Sequence, residues 1–217
     1  MQNKPDFTDE IGLYALSAAN AFKKVFNNWV GSFQSLFAID EETRYEYFTS
    51  KGILYAKRNK YHKAINMLEM VLSEKKLEVE PQIYLAVSYI KTNRTDEGYK
   101  LLENLSNKYT NNERVLTILS TAYIQDKKYN EALPVLEKLI KIDPNSIKHN
   151  MRLAKVYEML EKFDKVINIL TKVIKLDETN AKAHHAKGFA HEQIGEKDTA
   201  LEHYKIAMDL EENNKTQ

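Results

Sequence analysis

The chain is expected to be an all-α solenoid of stacked helical hairpins, because three patterns recur together: a 34-residue period, small residues at two fixed places in each period, and large apolar residues at two others. Five blocks tile the chain without insertion, at 45–78, 79–112, 113–146, 147–180 and 181–214, beginning at Tyr45, Val79, Glu113, Ile147 and Ala181. A segment at 1–44 precedes them and a polar tail, 215–217, follows.

The leading segment, 1–44, fits the period only in part. Extending the frame back to Ile11 puts Ala18 at the eighth place and Val30 at the twentieth, with Asn27 and Asn28 near a turn, which reads as a degenerate sixth hairpin. Phe22, Phe26, Trp29, Phe33 and Phe37 also recur at steps of four, three, four and four, and would line one face of an unbroken helix. Two readings of that stripe stand side by side. It caps the core of the first block, or it docks into the groove of another copy and drives self-assembly into a homo-oligomer.

Within each block the first helix carries a small residue at the eighth place, Gly52, Ala86, Ser120, Ala154 and Gly188. The second helix carries another at the twentieth: Ala64, Gly98, Ala132, Val166 and Ala200. Two antiparallel helices cross closely only where bulk is absent. Tyr55, Tyr89, Tyr123, Tyr157 and His191 at the eleventh place, with Leu68, Leu102, Leu136, Leu170 and Tyr204 at the twenty-fourth, fill the space beside the crossing. Short polar turns such as Lys57 to Lys60 and Gly195 to Asp198 join the helices, and Pro144 ends a block because proline cannot continue a helix. Lys51 and Lys187 occupy the usually apolar seventh place, where their long stems can cover core while the amines reach water.

Small-x-x-Tyr, then Ala, a large apolar residue and a terminal Asp-Pro-Asn at these offsets resemble the tetratricopeptide repeat, which implies a right-handed superhelix whose concave surface is lined by the first helices. A narrower resemblance rests on Asp9-Glu-Ile-Gly-Leu-Tyr14, the Ala-rich helix after it, and Ser32-Phe-Gln-Ser-Leu-Phe37. It continues through Lys51-Gly-Ile-Leu-Tyr-Ala-Lys57, Tyr89-Ile-Lys-Thr92, Ala132-Leu-Pro134 and Glu192-Gln-Ile-Gly195. These stretches are similar to the MamA family, the magnetosome-associated tetratricopeptide proteins of magnetotactic bacteria. The resemblance implies a cytoplasmic protein, peripheral on the cytoplasmic face of the magnetosome membrane. It also implies self-assembly into a coat that recruits other magnetosome-associated proteins and supports magnetosome formation or activation.

Composition agrees with a binding scaffold and removes several other classes. With 32 Lys and Arg against 31 Asp and Glu, net charge suggests neither nucleic acid nor an anionic lipid surface as ligand. The chain has no cysteine, hence no disulfide framework or thiolate metal site. No apolar run approaches the ~20 residues a membrane-spanning helix needs. A phosphate loop, a nucleophile elbow and a His-Glu-x-x-His pair are all missing, so the chain is expected to be no enzyme and to need no cofactor. The alternatives are a generic adaptor for peptide ligands and, from a different class, a helical-repeat reader of nucleic acid. The second is disfavoured because its base-reading places are aliphatic here.

The places expected to face the concave groove divide by chemistry. Ile53, Ile83, Tyr84, Val87, Ile90, Ile118 and Ile124 make an apolar half; Arg114, Lys148, Arg152, Lys155 and Lys182, with Met151 and Phe189, make a basic half. Such a groove suits an amphipathic or acidic peptide, the apolar anchors supplying burial and the cations orientation. An ordinary solvated helix face is the plainer reading of those cations. Chaperone-type carboxylate clamps need a polar set where Ile53, Val87 and Ile118 stand, so none is expected. His184, His185, His191 and His203 crowd the last block, but His184 and His191 fall at core places, so they are read as structural histidines and no metal site is assigned.

Overall fold

The computed structural model describes residues 22–25, 41–72 and 78–215, in two compact units, Met1–Ser50 and Lys51–Gln217. In the first unit residues 22–25 are helical and exposed, and Tyr47 meets Phe48 edge-on at 5.5 Å. Helix α1 (Glu41–Lys57) begins in that unit, and its residues 51–57 belong to the second. Of the aromatic stripe only Phe22 is described, 72% exposed; Phe26, Trp29, Phe33 and Phe37 lie outside the described residues.

The second unit is a solenoid of helical hairpins. After α1 come α2 (Tyr61–Leu72), α3 (Val79–Lys91), α4 (Thr95–Lys108), α5 (Glu113–Gln125), α6 (Tyr129–Ile142), α7 (Ile147–Met159), α8 (Phe163–Leu176), α9 (Ala181–Gln193) and α10 (Lys197–Lys215). First helices from α3 onward and all five second helices start at intervals of 34 residues. From α3 onward each first helix packs on its hairpin partner, and each second helix from α2 to α8 packs on the first helix that follows, with the slimmest of these contacts between α4 and α5. Pro134 stands exposed inside α6, whose helix continues through it.

The core lies between first and second helices and falls into clusters along the solenoid. Leu68, Leu102, Leu136 and Leu170 are fully buried, and one cluster runs from Ala86 on α3 to Ala190 on α9. Ile65 and Leu68 of α2 meet Leu85 and Tyr89 of α3 in a second cluster. Each fully buried leucine contributes about 1.5–3 kcal/mol, so a hairpin stripped of its neighbours would lose much of its support.

One turn is repeated five times. Asn59, Asn93, Lys127, Glu161 and Gly195, all at the fifteenth place, have positive φ. The next N–H closes back on the eleventh-place carbonyl: Lys60 to Tyr55, Arg94 to Tyr89, Lys128 to Tyr123, Lys162 to Tyr157 and Glu196 to His191, at 2.8–2.9 Å. This is a left-handed helix stop, which glycine and asparagine enter without the clash between Cβ and carbonyl that other residues suffer. Lys127 and Glu161, with φ of 58° and 55°, therefore carry strain. Lys127→Gly and Glu161→Gly are each expected to stabilise the chain by about 0.5–1 kcal/mol, read as a rise of roughly 1–4 °C in melting temperature per site.

Neighbouring hairpins are also bolted together by a periodic hydrogen bond. The Tyr89 hydroxyl donates to Glu69 Oε1 (2.8 Å), Tyr123 to Glu103 Oε1 (2.5 Å) and Tyr157 to Glu137 Oε1 (3.2 Å). Each joins the eleventh place of one hairpin to the twenty-fifth of the one before. Burial first, and the carboxylate second for Tyr89 and Tyr123, push these phenols above their ordinary range. Glu69 also receives Arg94 at 2.9 Å, and the guanidinium lies 4.2 Å from the Tyr89 ring centre.

Candidate binding groove

Tyr84 on α3 is the hub of the first part of the groove. The Lys57 amine lies 5.7 Å from its ring centre and the Arg114 guanidinium 5.6 Å. Arg114 Nη2 also donates to the Tyr84 hydroxyl at 3.3 Å, while its Nη1 pairs with Glu80 Oε1 at 3.3 Å. Glu80 and Arg114 both hold the second place of their blocks. Successive second places, Glu80, Arg114, Lys148 and Lys182, thus run from acidic to basic along the first helices, all exposed.

An open recess of about 580 Å³ lies where the N-termini of α5 and α7 meet, lined by Asn112, Glu113, Arg114, Ser146, Lys148 and His149 among others. The two caps follow from the sequence. Asn112 accepts from the Val115 N–H at 3.1 Å and Ser146 from the His149 N–H at 3.4 Å, and such short oxygen side chains satisfy the donors a helix start leaves open. Both helix starts present partial positive charge, which Arg114 and Lys148 reinforce. Buried His149 takes Glu113 Oε1 at 3.1 Å through Nε2, and its Nδ1 has no protein partner. A carboxylate is the chemical group this setting favours.

The other expected groove residues fall into distinct environments. Ile53, Val87, Ile90, Ile118, Ile124 and Met151 are half-buried, forming a floor rather than an open surface. Ile83 is a correction: it is 2% exposed, packed with Leu105 and Val115, and faces the joint between the second and third hairpins instead of the groove. Lys155 pairs with Glu158 at 2.6 Å. Arg152 is half-buried and its Nη1 has no protein partner. Phe189 is half-buried and meets Phe163 edge-on at 6.3 Å.

In the last hairpin, His184 Nδ1 lies 3.2 Å from His203 Nδ1, His191 Nδ1 lies 2.7 Å from Glu196 Oε2, and the His191 and His203 rings stack at 5.6 Å. Among the described residues no group of three or more ligating side chains could hold a metal ion. Burial, then the positive charges of Lys187, His184 and His191, pull His203 down to about 4, against the opposing pull of Glu202. The unfolded chain therefore takes up this proton first. Stability is intact above about pH 6.5 and falls as pH drops from there towards about 4. His203→Leu, which restores the apolar character of Leu101 at the same place, is expected to flatten melting temperature against pH in that window.

Comparison with known proteins follows the same architecture. The family model described as anaphase-promoting complex, cyclosome, subunit 3 matches residues 57–139, and a tetratricopeptide repeat model matches residues 123–188. Magnetosome protein MamA of Paramagnetospirillum magnetotacticum is 34% identical over 86 residues, 39% of this chain and 40% of that protein. The MamA of Magnetospirillum gryphiswaldense is 35% identical over an equal length. The match thus spans two fifths of these curated relatives. Likeness to solved structures runs further. MamA of strain MSR-1 superposes with a TM-score of 0.68 at 33% identity, covering 79% of this chain and 98% of the other, and MamA of AMB-1 with 0.69 at 32%, covering 79% and 94%.

Proposed function

The chain belongs to the MamA family of tetratricopeptide-repeat proteins, and from that premise we propose that this protein-interaction scaffold works by assembly and recruitment, without catalysis. It forms a coat on the cytoplasmic face of the magnetosome membrane and holds other magnetosome-associated proteins there, supporting magnetosome formation. Among the described residues no helix is long and apolar enough to cross a membrane, so protein partners supply the attachment in this reading.

The observation that carries the reading is the recess at the starts of α5 and α7, with Arg114 and Lys148 in its lining. An acidic, amphipathic helix or tail would place a carboxylate at the helix starts and apolar side chains on the floor. Self-assembly uses the aromatic stripe, Phe22, Phe26, Trp29, Phe33 and Phe37, of one copy as ligand for the groove of another; the 72% exposure of Phe22 supports it.

Charge reversal tests the recess. Arg114→Glu with Lys148→Glu should weaken binding of a synthetic acidic amphipathic peptide by about tenfold or more, read by fluorescence anisotropy, while the helical circular dichroism stays as it was. Unchanged affinity would make those cations ordinary solvated surface.

A further inference from the structure

The solenoid joins its own hairpins through two complementary faces, and both recur with more exposed side chains, the second-helix face on α10 and the first-helix face on α1. In the internal joints the twenty-first place packs on the first helix that follows: Ile65 clusters with Leu85 and Tyr89, and Tyr99 stacks on Tyr123 at 4.8 Å with the rings 12° apart. Ile65 and Tyr99 are each 4% exposed. Their counterpart in the last hairpin, Leu201, is 66% exposed. Met208, two turns further along the same face of α10, is 63% exposed, against 39% for Leu72 at the same place, with Ser106 buried and Ile140 and Ile174 half-buried. At the tenth place of the first helices Ser88, Ala122, Val156 and Ala190 are all buried, whereas Leu54 on α1 is 37% exposed.

We infer that α10 of one copy stacks on α1 of a second copy, head to tail, reproducing between molecules the joint the chain makes within itself. The occupant is identified by the molecule's own repetition: in the first three internal joints the first helix that follows the twenty-first place carries an eleventh-place tyrosine, in the fourth it carries His191, and α1 carries a tyrosine in Tyr55. One substitution fits the change of setting. Lys205 replaces the carboxylate of Glu69, Glu103 and Glu137 at the twenty-fifth place. In the intermolecular joint its amine meets the Tyr55 ring, a pairing the chain already uses where Lys128 lies 4.1 Å from the Tyr99 ring centre. Such a contact joins two different faces, so it propagates as an open row rather than closing as a two-fold dimer. This inference rests on the self-assembly reading above and adds a second contact surface to it.

The native chain has no cysteine, which makes cross-linking clean. Tyr55→Cys with Leu201→Cys occupies the places of the stacked Tyr123 and Tyr99. Under mild oxidation the double variant should give a ladder of covalent multimers, while either single variant, with no thiol opposite it in the joint, stays monomeric on the denaturing gel. Independently, Leu201→Glu with Met208→Glu, both at exposed sites, should lower the particle mass by light scattering with helical content unchanged. If the parent chain is monomeric at every concentration, the self-assembly reading fails and this one with it. If the parent assembles but the double variant gives no ladder, or the glutamate variant keeps the parent mass, head-to-tail stacking alone is overturned. Covalent dimers of Leu201→Cys without a ladder in the double variant overturn it in favour of tail-to-tail pairing.

Discussion

Gly98→Val is expected to lower the unfolding free energy by about 3 kcal/mol or more, a large share of the stability of an ordinary domain. A methyl at Gly98 would stand 2.5 Å from Ile90 Cγ1, 2.8 Å from the Ala86 carbonyl oxygen and 3.2 Å from the Ile90 nitrogen. Two of these three atoms are backbone of α3, so α3 and α4 must separate to make room, and Leu102, Tyr99 and the cluster around them lose their packing. The comparison is Gly52→Ala. There the nearest atoms, at 2.5 and 2.6 Å, are Leu68 Cγ and Cδ2, which belong to a side chain. A rotamer change relieves part of that clash, and the expected cost is smaller, about 1–3 kcal/mol. Urea unfolding followed by circular dichroism measures both. Because each hairpin is held by its neighbours, the Gly98 variant should also broaden the transition, as its second hairpin fails before the third to fifth.

The period made most of the fold legible. It located the close crossings, the tyrosine and leucine core and the polar turns, since those depend on residue size at fixed spacing. The left-handed stop at the fifteenth place was half visible: Asn59, Asn93 and Gly195 favour it, while Lys127 and Glu161 disguise it and adopt it because the hairpin geometry demands it. The tyrosine-to-glutamate bonds had a signal in Glu69, Glu103 and Glu137 at one place, with Thr171 standing where the next hairpin has His191 instead of tyrosine. Seeing it required pairing places across blocks instead of within them.

The groove was harder to read for a physical reason. A first-helix face is open or closed according to how tightly the next hairpin leans on it, and Ile83 disappears because Leu105 and Val115 close over it. The Arg114 pairing with Glu80 was in principle readable, because equal places in adjacent blocks become surface neighbours. The recess at the starts of α5 and α7 was not, since it is made by two caps, a buried histidine and the space between hairpins.

The second large effect expected concerns the aromatic leader. The described part, 22–25, is an exposed helical stretch with Phe22 at 72% and Val25 at 67% exposure. Exposed apolar side chains at helical spacing cost solvation in water and gain when a groove covers them. Replacing Phe22, Phe26 and Trp29 by aspartate in the full chain removes that gain and adds three charges that a partly apolar groove floor would have to desolvate. The groove residues keep their identities in this variant. The most direct test of the scaffold as its own ligand is therefore the mass of the parent chain and of this triple variant by light scattering at matched concentrations. A parent that forms large particles and a variant that falls to monomers or short oligomers is the predicted result; equal masses for the two would contradict it.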